Sequence, residues 1–292
     1  MDPILLEGTW IGDLNSYGTL ILFGGLSLAP GIWWDQKRRG LPAELLLDIY
    51  IVFVVGCFVG GRVLDVITRP AVFLAEPARI FSAQDSFVFY GSLIGVFLGF
   101  VWLAHKYRRP LAELCDLVAT WIPLGHGIAR LGCWFAGCCF GAPVLGDPDW
   151  AAHFPAGSIA HSGGEVPLAG ATTVGLFPIQ LVEVAGLELL ALLLISIRIR
   201  RGAESAWLMS GRYALGYGLL RLVTELFRGD HSRNHLFLLE FPDVAEVLRL
   251  PASQPFLLST SQLISLLLVA WGALMISRGR KRARALPSKV PT

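Results

Sequence analysis

Residues 86–104 read SFVFYGSLIGVFLGFVWLA, an apolar run without a single charge. At 1.5 Å per residue a helix of this length covers about 30 Å, the depth of a bilayer's hydrocarbon core. A core helix of a soluble domain is usually shorter and polar along one face. The stretch therefore sets the solvent in which the rest of the chain is read.

It has company. Residues 256–277, FLLSTSQLISLLLVAWGALMIS, are also uncharged, and further apolar blocks lie near 14–34, 44–65, 111–129, 176–197 and 206–227. Hydrophobic residues make up 54% of the 292-residue chain, charged residues 16%, and mean hydropathy is +0.60. Soluble domains are nearer a quarter charged. The expected fold is an all-α polytopic membrane protein of about seven transmembrane helices.

Basic residues orient such a chain, because they collect on the cytoplasmic side. Lys37, Arg38 and Arg39 follow the first block, and Lys106, Arg108 and Arg109 the third. Arg198, Arg200 and Arg201 follow the fifth, and SRGRKRARALPSK the seventh. This pattern puts the N-terminus outside and the C-terminus in the cytoplasm. The start, MDPILLEGTW, lacks a basic n-region, so no cleavable signal peptide is expected. A net charge of +2 reads as topology and gives no reason to expect a nucleic-acid partner. The basic tail suits anionic headgroups.

One integral-membrane domain over 1–292 is expected, with outer connections at about 131–175 and 228–255. The first is rich in turn formers, hence a loop or small cap. The second contains PDVAEVLRL, whose Val244, Val247 and Leu248 share one face after Pro242. That suits a short helix on the outer leaflet or on the rim of the bundle.

The chemistry lies in charges where lipid should be. Tyr217, Arg221 and Glu225 are spaced by four and form one stripe of a helix. Arg221 falls ~9 Å inside the outer end of its block at 1.5 Å per residue. Unpaired, it would cost at least ~2.5 kcal/mol, so it faces the bundle interior or a wet cavity. Arg62, Arg130, Arg228 and Arg233 stand at the outward ends of blocks or just beyond. Such guanidiniums can form a phosphate pocket, or they can snorkel to headgroups without one. An Arg221–Glu225 pair closed on itself is the third reading. Glycines crowd the arginine ends: Gly60, Gly61, Gly91, Gly95, Gly125, Gly127, Gly132, Gly137 and Gly141. They fit a binding floor or close helix packing.

Taken in order, Tyr17-Gly18, Gly60-Gly61-Arg62, GSLIG at 91–95, GHGIARLG at 125–132 with Gly141, and Pro178-Ile179-Gln180 with Glu183 resemble a known family. So do the Tyr217–Arg221–Glu225 stripe and Ser261-Gln262. The resemblance is to the bacterial prolipoprotein diacylglyceryl transferases and runs along nearly the whole chain. It implies transfer of the diacylglyceryl group of phosphatidylglycerol to the lipobox cysteine thiol of a preprolipoprotein, with release of glycerol phosphate. The implied place is the outer leaflet of the bacterial cytoplasmic (inner) membrane, with no metal or organic cofactor.

It also implies roles. Arg130 and Arg221 would stabilise the leaving phosphate, and Glu225 would orient Arg221 or take the thiol proton. Tyr17 and Tyr217 would hydrogen-bond headgroup oxygens. Arg62, Tyr90, Gly91, Gly141, Gln180 and Gln262 would contact substrate. Three positions depart from the family: Cys133 replaces an asparagine, Cys138 a glutamate, and Tyr90 a histidine. The alternatives are a divergent paralogue with another acceptor, a non-catalytic lipid-binding protein, and, from the cysteines alone, a membrane thiol oxidoreductase.

The cysteines lie in ARLGCWFAGCCFG, residues 129–141. Structural zinc takes four ligands, usually in spaced pairs, and Cys133, Cys138 and Cys139 fit no such pattern even with His126 or His153. No metal is expected. A disulfide between Cys133 and Cys138 or Cys139, small thiols packed under Arg130, and a reactive cysteine all stay open.

Overall fold

The computed structural model describes residues 4–9, 12–81, 88–202, 206–230 and 235–285. Arg233, an expected pocket arginine, lies outside them. The elements in chain order are β1 (Ile4–Thr9), β2 (Gly12–Asn15), α1 (Ser16–Ser27), α2 (Ala29–Arg38), α3 (Glu44–Thr68), α4 (Pro70–Ala75), α5 (Phe89–Lys106), α6 (Leu111–Ala119) and α7 (Ile122–Ala136). There follow α8 (Ile159–Ser162), β3 (Leu168–Ala169), β4 (Thr172–Thr173), α9 (Ile179–Arg201), α10 (Leu208–Glu225), β5 (His235–Glu240), α11 (Pro242–Val247), β6 (Pro255–Ser259) and α12 (Thr260–Ala285). The protein is mostly helical, and its strands form small antiparallel pairs, β1–β2, β3–β4 and β5–β6.

Among the described residues, α3, α9 and Thr260–Lys281 of α12 are long and apolar enough to cross a membrane. Their outward faces agree. Val54, Val55, Phe58 and Val59 on α3, and Leu189, Leu192 and Leu193 on α9, are exposed. A helix apolar around its circumference finds a suitable solvent only in lipid.

Two apolar blocks are broken. The block at 14–34 becomes α1 and α2, and Pro30 explains the break, since proline fits the first turn of a helix and disrupts an interior. The block at 111–129 becomes α6 and α7, with Pro123 in the first turn of α7. The chain divides near these breaks into two compact units. One holds Met1–Ala29 and Ala119–Thr292, the other Pro30–Val118.

In the smaller unit α3 and α5 pack along their lengths, and glycine makes this possible. A Cβ on Gly60 would lie 2.3 Å from the Gly91 carbonyl oxygen, and one on Gly95 2.2 Å from that of Gly56. With no side chain between them, two backbones touch directly. At one end of α3, Asp65 pairs with both Arg62 and Arg69.

In the larger unit α7 packs on α1 and α9, and α10 on α12. Glycine again sets the approach, at Gly24 against Gly125 and at Gly211 against Gly272. The connection after α7 is a packed cap with its own apolar centre of Phe140, Ala152, Phe154, Ala160, Val166 and Leu176. The stretch from 228 contains the expected short helix, α11, whose Ala245 is buried with Ala142, Leu250 and Phe256. The β5–β6 pair was not foreseen, because the apolar PFLLS of β6 reads as the start of the last block.

Candidate functional site

Each helix at the site has a local reason to start or stop there. Helix α7 ends at Gly137, whose φ of +70° is open to glycine without cost and whose amide caps the Cys133 and Trp134 carbonyls. Helix α9 begins after Pro178. Helix α12 opens with a reciprocal cap. The Ser259 hydroxyl accepts from the Gln262 amide at 3.2 Å, and Gln262 Oε1 accepts from the Ser259 amide at 3.0 Å.

These ends bring the charges together. Arg130 on α7 and Arg221 on α10 meet at Glu183 of α9: Arg130 Nε lies 3.0 Å from Oε2, and Arg221 Nη1 donates to Oε1 at 2.9 Å. Arg221 Nη2 lies 2.7 Å from Glu225 Oε2, one turn along the same helix. The expected stripe therefore does close on itself, and it also engages a neighbouring helix. Thr224 Oγ1 donates to Glu183 at 3.3 Å, and Ser259 Oγ donates to Glu225 at 2.8 Å. Arg221 also reaches the Ser261 hydroxyl at 3.5 Å.

Both carboxylates are almost wholly buried, Glu183 at 3% and Glu225 at 1% exposure. Ion pairs this deep offset their desolvation only through good geometry, and removing one partner costs on the order of 3–5 kcal/mol. Arg228 adds a third guanidinium, and this one is buried. It grips Asp230 with two bonds, Nε to Oδ1 at 2.7 Å and Nη2 to Oδ2 at 2.6 Å. The cluster of Arg130, Arg221, Arg228, Glu183, Glu225 and Asp230 is thus charge-balanced.

A closed site lies among these groups, lined by His126, Arg130, Glu183, Leu187, Tyr217, Leu220, Arg221 and Thr224, whose side chains leave no free space the size of a water molecule. Tyr217 lines it with its ring 5.4 Å from that of His126. Tyr17 on α1 is within electrostatic reach of Arg130 and of the three loop cysteines.

Other expected site residues stand differently. Gln180 is buried, and its amide donates to the Cys138 carbonyl at 3.0 Å, bracing the loop after α7. Gln262 serves the α12 cap and donates to the Phe256 carbonyl at 2.9 Å. Gly141 pairs as a bridge with Arg228, and a Cβ there would lie 2.2 Å from the Phe177 carbonyl oxygen. Arg62, Tyr90 and Gly91 belong to the smaller unit, where Arg62 faces Asp65, Tyr90 is partly exposed and Gly91 closes the α3–α5 contact.

Cys133, Cys138 and Cys139 carry free thiols, with all three sulphurs within 4.8 Å of one another.

Sequence reasoning singled out Glu183 and Ser261 only as motif residues of the resemblance, without a role, and passed over Thr224 and Ser259. A role for Glu183 was findable, because an ionisable group in an apolar helix is a functional candidate by default. The hydroxyls carry no comparable signal.

The profile of the prolipoprotein diacylglyceryl transferase family matches residues 4–278. A relative from Proteus mirabilis, named phosphatidylglycerol–prolipoprotein diacylglyceryl transferase, is 31% identical over 261 residues, 81% of this chain and 84% of its own length. Relatives of the same name from Clostridium tetani and Aeromonas hydrophila are 26% and 30% identical over 97% and 99% of this chain, and 99% and 94% of theirs. A match that spans all the helices bearing the buried arginine–glutamate cluster leaves one assignment: the chain belongs to the prolipoprotein diacylglyceryl transferase family.

Proposed function

We propose that this protein is a membrane transferase that moves the diacylglyceryl group of phosphatidylglycerol onto the lipobox cysteine thiol of a prolipoprotein. The single observation that carries the reading is the pair Arg130 and Arg221 meeting at the one Glu183 carboxylate. The relatives' names supply both substrates.

The reaction forms a carbon–sulphur bond and breaks the bond between the diacylglyceryl carbon and a phosphate oxygen. The electron pair stays on that oxygen, so a singly charged diester becomes glycerol phosphate, and the thiol gives up its proton. Charge therefore gathers on the leaving phosphate. Guanidiniums fixed in place by carboxylates stabilise it without having to reorganise. Both guanidiniums are held by Glu183, and Arg221 also by Glu225, so their donors are aimed before substrate arrives. This favours Glu225 as the residue that orients Arg221, since its carboxylate is already engaged by Arg221 and Ser259. In this reading Tyr217 and Tyr17 hydrogen-bond headgroup oxygens. Gln180, Gln262 and Gly141 position the loop and cap around the site.

The proposal extends to a chain of seven spans, one functional whole over 1–292, in the inner membrane. Its N-terminus lies outside, its C-terminus in the cytoplasm, and its site toward the outer leaflet. The alternation of basic connections supports this orientation.

The test uses the full chain in detergent with phosphatidylglycerol and a lipobox peptide. The expected result is a peptide whose mass rises by one diacylglyceryl group, with glycerol phosphate released. An unmodified peptide, under conditions where a relative modifies it, would overturn the assignment.

A further inference from the structure

We propose that Cys133, Cys138 and Cys139 form a three-thiolate site for a soft, monovalent metal ion of the Cu(I) class. The sulphurs are mutual neighbours within 4.8 Å. Three sulphurs at ~2.3 Å from one centre, the usual metal–thiolate length, stand about 4.0 Å apart in a trigonal plane. The cluster is therefore close to the size that an ion would fill, with only small adjustments of side chains.

The backbone is built to hold this shape. Cys133 sits in the last turn of α7, and the Cys138 amide returns to the Cys133 carbonyl at 3.1 Å. Cys139 has φ +54°, a left-handed conformation that a residue with a Cβ rarely adopts. Such strain persists only where the surroundings over-determine it, and it gathers at functional sites. Here the surroundings are explicit. Gln180 holds the Cys138 carbonyl at 3.0 Å, the Ala160 amide holds that of Gly137 at 3.0 Å, and the Gly229 amide holds that of Phe140 at 3.1 Å.

Ligand number and charge select the metal. Structural zinc takes four ligands, and among the described residues the group contains three. Thiolates are soft ligands that favour Cu(I) over hard cations. Thiolate is the form that binds metal. Three thiolates and one monovalent ion leave two negative charges, near Arg130 and Arg228, which are themselves paired with Glu183 and Asp230. Once filled, the site would tie the end of α7 to the strand leading to Gly141 and so fix the base of Arg130.

The experiment loads the reduced full chain in detergent with Cu(I), without oxygen, against a competing chromogenic chelator. The expected result is one Cu(I) per chain and an ultraviolet thiolate-to-metal absorption band. Cys133, Cys138 and Cys139 should be protected from alkylation, while Cys57 and Cys115 keep their reactivity. Cys133→Ser and Cys139→Ser should each lose the band, and Cys57→Ser with Cys115→Ser should keep it. Failure of the reduced wild type to take up Cu(I), or equal uptake by the variant lacking all three loop thiols, would overturn the proposal. A disulfide that is re-formed during loading, with no metal bound, would overturn it equally. Melting temperatures of the metal-free variants separate loss of ligands from loss of fold.

Discussion

Arg130 and Arg221, from helices α7 and α10, share one carboxylate: Glu183 sets Oε2 3.0 Å from the first and Oε1 2.9 Å from the second. Two like charges are thereby held close in a buried place, where each alone would be expensive. Glu225 completes the neutralisation of Arg221. On the proposed reading, a lipid phosphate meets guanidiniums that are already aimed.

Replacing Arg221 by lysine keeps the charge and loses the planar fork. Arg221→Lys and Arg130→Lys should each lower transfer to the lipobox peptide by roughly a hundredfold or more, the scale of one lost transition-state donor. Initial rates at saturating phosphatidylglycerol check this, with gel filtration to show a normal fold.

Glu183→Gln removes the shared charge while keeping the shape. It should both lower the melting temperature and cut activity, because two buried guanidiniums lose their common partner. A stability loss on the order of 3 kcal/mol is expected. Glu240→Gln, an exposed position, is the control and should change neither.

Adjacent glycines in α1 offer a sharper test of packing. A Cβ on Gly24 would lie 2.5 Å from the Gly125 carbonyl oxygen, whereas one on Gly25 meets nothing within 4 Å. Gly24→Ala should destabilise by about 1–3 kcal/mol through overpacking. Gly25→Ala should be neutral or stabilising by up to about 1 kcal/mol, since alanine is the better helix former. Thermal unfolding of the two variants side by side reads the difference.

The cap after α7 depends on Phe154, which is fully buried and packs edge-on against Trp134 at 5.5 Å. Phe154→Ala should cost about 3–5 kcal/mol. Limited proteolysis should then cut within 140–175 well before the helices are attacked.

Much of this was legible beforehand, and the reasons are physical. Tyr217, Arg221 and Glu225 could be placed on one stripe because helical periodicity needs only spacing. Arg130 stood out because a guanidinium near an apolar block demands a partner. That partner was harder to see, because Glu183 comes from a different helix and sequence spacing does not report distance between helices. Gln180 and Gln262 look like ligand groups in sequence. Their amides donate to the Cys138 and Phe256 carbonyls, which only the folded backbone puts within reach. The breaks near Pro30 and Pro123 were readable from proline alone, yet hydropathy averages across them. The cysteines show the same limit: counting zinc ligands along the chain does not report that three sulphurs lie within 4.8 Å of one another, beside the left-handed turn at Cys139.

The bare contact between α3 and α5 has a consequence for how this protein can drift over generations. Gly56, Gly60, Gly91 and Gly95 admit no larger residue, whereas neighbours such as Val55 and Phe58 look outward and can trade among oily types freely. A randomised library over this helical pair should return those four positions almost unchanged amid scrambled surroundings.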